Sequence, residues 1–147
     1  MLGTIAKKLR MLGFDTQYYN TINDDELITS ARKEERIIIT KDQMLAVKAA
    51  NQNIPTIRVL THAEKEQLTE IADKMGWKKI TLDNPRCSTC NGMLQKVSKQ
   101  EIIGMIPPKV AESVQEFWQC DKCSHIYWVG THIRNLERLI AEINDTL

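Results

Sequence analysis

Apolar residues fall at helical spacing from the start of the chain: Leu2, Ile5, Leu9 and Leu12 share one stripe, with Lys7, Lys8 and Arg10 largely on the other face. Gly13 stands where such a helix would take its C-terminal cap. Residues 15–19 alternate weakly and predict a strand, followed by a turn at 20–23. Helix is expected again from Asp24, with Leu27, Ile28 and Ala31 facing inward. The run Ile37, Ile38, Ile39 reads as a short strand buried on both faces, as in a parallel sheet. Helix resumes at Gln43, Pro55 breaks the chain, and residues 56–60 predict another strand. Thr61 and Glu64 have the spacing of a capping box, ahead of a helix that should bury Leu68, Ile71, Ala72 and Met75 and stop at Gly76. The resulting α-β-α-β-α-β-α order predicts a small parallel sheet covered by helices, an α/β domain over residues 1–76.

The pattern changes after residue 76. Residues 77–86 look like a linker, and residues 84–130 hold two Cys-x-x-Cys pairs, Cys87/Cys90 and Cys120/Cys123. Between them, residues 102–106 and the Pro107-Pro108 pair predict an irregular excursion. Residues 131–147 predict a last helix, with Ile133, Leu136, Ile140 and Ile143 on one face.

Charge narrows the function classes. With 27% charged residues and a formal net charge of +1, the chain is neither a disordered tail nor a strongly basic nucleic-acid binder. Residues 1–76 carry 11 Lys/Arg against 11 Asp/Glu, residues 77–130 seven against five, and residues 131–147 two against three. Contact with nucleic acid would therefore depend on local patches, for which Lys7, Lys8, Arg10, Lys96 and Lys99 are candidates. No apolar run approaches a membrane span. Cysteines confined to Cys-x-x-Cys pairs favour a reducing compartment, so a cytoplasmic protein is expected.

Two sets of residues carry candidate chemistry. Two Cys-x-x-Cys turns together supply four thiolates, the donor set of a closed tetrahedral Zn²⁺ site, although four thiolates suit iron as well. Phe117, Trp118, Tyr127 and Trp128 flank the second turn and either shield that metal or stack on unpaired bases. His125 and His132 are spare metal ligands or, with four cysteines present, surface or RNA contacts. The second set is acidic. Asp42 leaves the Ile-rich strand at its C-terminal end, where open α/β sheets bind ligands, while Asp24 and Asp25 open the preceding helix. Each is equally a helix cap or a favourable charge on a helix dipole. If they converge, they are hard ligands for Mg²⁺ or Mn²⁺, which activate water for phosphodiester hydrolysis. No Gly-rich phosphate loop and no G-x-S-x-G motif competes with that chemistry.

The stretches MLGTIAKKLRMLGFDT, DDELITSARKEERIIITKD, RCSTCNG and FWQCDKCSHIYWVGTHIRNL resemble, in that order, the Mut7-C family of PIN-like ribonuclease domains fused to a C-terminal zinc ribbon. The resemblance implies a PIN-like sheet and a metal-dependent nuclease acting on single-stranded RNA. Asp24 and Asp42 match two acidic positions of the family, Cys87, Cys90, Cys120 and Cys123 match the zinc ligands, and Tyr127, Trp128, Gly130 and His132 match a Tyr-Trp-x-Gly-x-His run. It also implies partners such as ribosomal RNA or the ribosome, by analogy with other PIN-plus-ribbon nucleases. Family members begin with an apolar strand ending in Asp just before the Met-Leu-Gly that opens this sequence. Residues 1–147 are therefore expected to cleave RNA weakly or not at all until such a strand is restored. The competing expectation is a non-catalytic RNA- or ribosome-associated zinc-ribbon protein.

Overall fold

The computed structural model describes residues 2–147. The chain divides into two compact units. One holds the described residues up to Ile5, with Tyr18–Ile80 and Ile143–Leu147; the other holds Ala6–Gln17 and Thr81–Glu142.

In the first unit, helix α2 (Asp24–Glu34) precedes strand β1 (Ile38–Thr40), helix α3 (Gln43–Asn51), strand β2 (Thr56–Arg58) and helix α4 (Glu64–Met75). The two strands are parallel, with Ile38 opposite Thr56 and Thr40 opposite Arg58. Crossover through α3 makes that pairing possible, because parallel neighbours need a long connection. Ile28, Ala31, Ile38, Leu45, Ala49 and Ile54 form the core between α2, β1 and α3. Two expectations fail here and a third holds only in part. Residues 15–19 form no strand, so the described part of the parallel sheet has two strands rather than three. The Ile-rich strand is covered on both faces, unevenly: Ile38 and Thr40 are buried, Ile39 is half-buried on the face it shares with buried Ile57, and Ile37, just ahead of the strand, is exposed. The Thr61/Glu64 capping box does not form, since Ala63 is the N-cap of α4 and makes no side-chain cap bond. Glu70 takes its place. Nearly two turns further on, its carboxylate accepts from Leu60 N, Thr61 N and the Thr61 hydroxyl at 2.8–3.1 Å. Met75 is also exposed, because α4 stops at Gly76 (φ +74°) one residue later.

Residues 77–86 contain no helix or strand, yet Ile80 is buried. Its N–H donates to Asn144 Oδ1 at 2.8 Å and its carbonyl accepts from Asn144 Nδ2 at 2.9 Å. A side-chain amide here does what a neighbouring strand would do, satisfying both backbone groups of a buried residue.

The second unit is built on an antiparallel sheet, β3 (Leu94–Val97), β4 (Phe117–Cys120) and β5 (Ile126–Tyr127) in that order. The excursion is not irregular. It folds as α5 (Lys99–Ile102), a 3-10 turn (Ile103–Met105) and α6 (Pro108–Ser113), the last with proline in its first turn, where no N–H is needed. Ile102, Ile106 and Phe117 form its core with Val97, Val110 and Trp128 against them. Helices α1 (Gly3–Met11) and α7 (Thr131–Thr146) divide their residues between the two units.

Candidate metal centre

The four cysteine sulfurs lie within 4.8 Å of one another, the one group of three or more His, Cys, Asp or Glu donors gathered in this way among the described residues. Cys87 and Cys123 are 3.5 Å apart, Cys90 and Cys120 3.4 Å. A tetrahedral zinc with Zn–S of about 2.3 Å needs sulfurs about 3.8 Å apart, so spacing and donor chemistry both fit.

The two turns that carry them are built alike. Asn91 N donates to Cys87 O and Cys87 N to Gly92 O, both at 2.8 Å; Ser124 N donates to Cys120 O at 3.1 Å and Cys120 N to His125 O at 2.9 Å. In each turn the residue after the second cysteine is left-handed, Asn91 at φ +69° and Ser124 at φ +65°. Asn tolerates that region better than most residues, which fits the first turn. Gly92 is required for a different reason. A Cβ there would stand 2.7 Å from Cys120 Sγ and 3.2 Å from Cys90 Sγ.

Side chains around the first turn fix it in place. Asn91 is buried; its amide donates to Asp15 Oδ1 at 2.6 Å and accepts from Thr16 N at 3.0 Å. Arg10 donates to Thr16 O at 2.8 Å and to Ser88 O at 2.9 Å. These bonds explain why residues 15–19 form no strand: Asp15 and Thr16 are held by side chains rather than by a ladder. They also correct the reading of Arg10 as an exposed phosphate contact, since its guanidinium serves backbone carbonyls and the residue is 8% exposed.

Tyr127, whose role the sequence leaves open, touches the metal site. Its hydroxyl lies 3.0 Å from Cys87 Sγ and accepts from Ser88 N at 3.2 Å. Burial raises the Cys87 thiol, but the Tyr127 hydroxyl and the N–H groups of Cys90 and Thr89 outweigh it and hold the thiol down to about 7. Cys123 goes the other way. The His125 N–H lowers it, but burial and the three neighbouring cysteines push it up to about 12. Four adjacent thiols cannot all ionise unless a cation neutralises them, which is the electrostatic demand that Zn²⁺ meets.

The acidic candidates lie in the other unit. Asp42 directly follows β1 and caps α3, its Oδ1 accepting from Met44 N at 2.9 Å and Leu45 N at 3.3 Å. Both expectations, strand-end carboxylate and helix cap, are met in one residue. Asn23, rather than Asp24, caps α2. Asp24 and Asp25 are in its first turn, and Asp25 Oδ1 lies 2.6 Å from Lys48 Nζ on α3. That bond, with the charge of Asp24 added, raises the Lys48 ammonium above its ordinary value. Asp24, Asp25 and Asp42 do not form a three-donor group. Three basic residues, Lys41, His62 and Arg58, share the edge with Asp42. Lys41 Nζ lies 3.1 Å from His62 Nδ1, and since an ammonium only donates, Nδ1 is the acceptor. Arg58, opposite Thr40, keeps a buried Nε without a hydrogen-bond partner among the described residues.

The remaining basic candidates occupy the unit of the cysteines. Lys7, Lys96 and His132 are exposed, Lys8 and Lys99 half-buried. No helix is long and apolar enough to cross a membrane among the described residues. Residues 1–140 match the family described as the Mut7-C RNAse domain. No curated protein and no solved structure matches the chain.

Proposed function

The chain belongs to the Mut7-C RNAse domain family, and on that footing we propose that it is a Mg²⁺- or Mn²⁺-dependent endonuclease on single-stranded RNA, with a structural zinc ion on Cys87, Cys90, Cys120 and Cys123. The observation that carries this reading is the seat of Asp42 at the C-terminal end of β1 in a parallel sheet, the edge where α/β sheets bind ligands. When bound, the divalent ion supplies a Lewis acid at the phosphate and an activated water. Asp42, through the carboxylate oxygen its cap leaves over, and Asp24 and Asp25 are the side chains that would hold it. Lys48 competes for Asp25. Lys41 and His62 offer N–H donors to the phosphate at the same edge. Lys7, Lys8, Lys96, Lys99 and His132 supply further phosphate contacts, and ribosomal RNA in the cytoplasm is the substrate class this reading favours.

A second reading has its own support. The three acidic residues form no preassembled donor group, and Asp25 is already paired. Both facts favour a non-catalytic RNA- or ribosome-associated zinc-ribbon protein. Cleavage of single-stranded RNA with Mn²⁺ present, tested on residues 1–147 carrying an added upstream strand that ends in Asp, separates the two. Asp42→Asn should abolish it while preserving the fold, because Asn caps a helix about as well as Asp. Cleavage that survives Asp42→Asn rules out the mechanism; RNA that is bound but never cut, with Mn²⁺ present, leaves the second reading.

A further inference from the structure

The three-stranded sheet has two unlike faces. Cross-strand register puts Val97, Phe117 and Ile126 on one of them and Leu94, Lys96, Trp118 and Tyr127 on the other. The first face is closed by the excursion, whose Ile102 and Ile106 pack on Phe117. The second borders an open groove of about 360 Å³, whose lining includes Leu94, Trp118, Tyr127, Trp128, Val129 and Ile133. That volume falls in the range of about 300–1,000 Å³ usual for small-ligand sites.

The four aromatic residues around the second Cys-x-x-Cys turn therefore have separate tasks. Phe117 belongs to the closed face, and the Tyr127 hydroxyl is taken by Cys87 and Ser88. Trp128 is braced edge-on by Phe117, ring centroids 6.1 Å apart, and also lines the groove with Trp118. Neither indole N–H is hydrogen-bonded to a described residue. Lys96 opposes Trp118 and Trp118 opposes Tyr127, so a cation and two aromatic rings form one row across the strands. The Lys96 ammonium has an ion pair with Glu116 at 3.3 Å, but both groups are exposed, and such a pair is readily exchanged for a phosphate.

We infer that this groove is a base-stacking subsite, taking one unpaired nucleobase of single-stranded RNA against Trp118 and Trp128 with Lys96 at the adjoining phosphate. The inference rests on the RNA reading above and adds where the strand is gripped. A base matches three features of the groove: its π-face suits one indole, its edge acceptors suit the N–H of the other, and its phosphate suits Lys96. An aliphatic side chain from a protein partner would match the apolar walls alone.

The test compares a labelled single-stranded RNA with the same strand carrying abasic sites. Binding to the zinc-loaded full chain is followed by anisotropy without added Mn²⁺, so that nothing is cut. The abasic strand should bind about five-fold or more weakly. Trp118→Ala should weaken the intact strand by a similar factor and leave the abasic strand unaffected, with Trp118→Phe retaining most of the affinity. Equal affinity of the unaltered protein for both strands overturns the inference and needs no variant to fold. So does a Trp118→Ala protein with full metal content that binds intact RNA normally; the groove would then serve another occupant, such as a protein partner, while the RNA reading stands. If neither strand binds, both ideas fall.

Discussion

Arg10 donates through Nη1 to the carbonyl of Ser88 at 2.9 Å, fastening the helix that begins the chain to the first metal-binding turn. The same guanidinium holds Thr16 O at 2.8 Å through Nε. A charged donor used this way is a structural part, and its removal leaves carbonyls that must find other partners.

Arg10→Ala should therefore lower stability by about 2–3 kcal/mol, read as a lower urea midpoint, and should speed metal loss. Lys7→Ala, at an exposed neighbour, should leave the midpoint unmoved and reduce the salt slope of RNA binding by about one. The opposite pattern would return Arg10 to the RNA surface.

Metal content comes next. One zinc or iron per chain is expected, and its removal should unfold residues 84–130 while much of the first unit stays helical. Gly92→Ala should weaken metal binding about ten-fold or more, because the new Cβ meets Cys120 Sγ at 2.7 Å. Tyr127→Phe should cost about ten-fold by removing the hydroxyl beside Cys87. Competition with a chromophoric chelator measures both variants; unchanged affinities would show that neither the space at Gly92 nor the Tyr127 hydroxyl bears on the metal.

Acid sensitivity should trace to Glu70. Burial raises this carboxyl, but bonds from Lys74, the Leu60 and Thr61 N–H groups and the Thr61 hydroxyl bring it down to about 2 from an ordinary 4.5. The folded value lies below the unfolded one, so its stabilisation is complete above about 4.5 and is lost as pH falls towards 2. Glu70→Gln should cost about 1–2 kcal/mol at neutral pH, allowing for solvent screening, and almost nothing near pH 2. Denaturant midpoints that differ equally at both pH values would refute this.

For Asp42, cap and charge can be separated. Asp42→Ala should lose about 1 kcal/mol of stability through the orphaned N–H groups of Met44 and Leu45, and Asp42→Asn only a few tenths. Equal losses would mean that the cap contributes nothing beyond its charge.

Much of this was determined by sequence alone, where the signal is local. The Ile-rich strand, the α2 and α7 helices and the stop at Gly76 follow from periodicity and from backbone preferences that reach three or four residues. The cysteine quartet was legible because a Cys-x-x-Cys turn carries its own geometry, and two of them have one common use. The strand-end position of Asp42 was legible for the same reason. Tertiary structure decided the rest, through partners far away in sequence. Arg10 reads as a surface cation until Ser88, 78 positions on, claims it. Asp15 and Thr16 read as a strand until Asn91 satisfies them. Thr61 has a capping partner at the right spacing in Glu64, yet Glu70 takes it. Trp118 and Phe117 are adjacent in the chain, and the sheet sends one to the groove and the other to the core. A buried polar group must be bonded to something, and which something is settled only when distant segments meet.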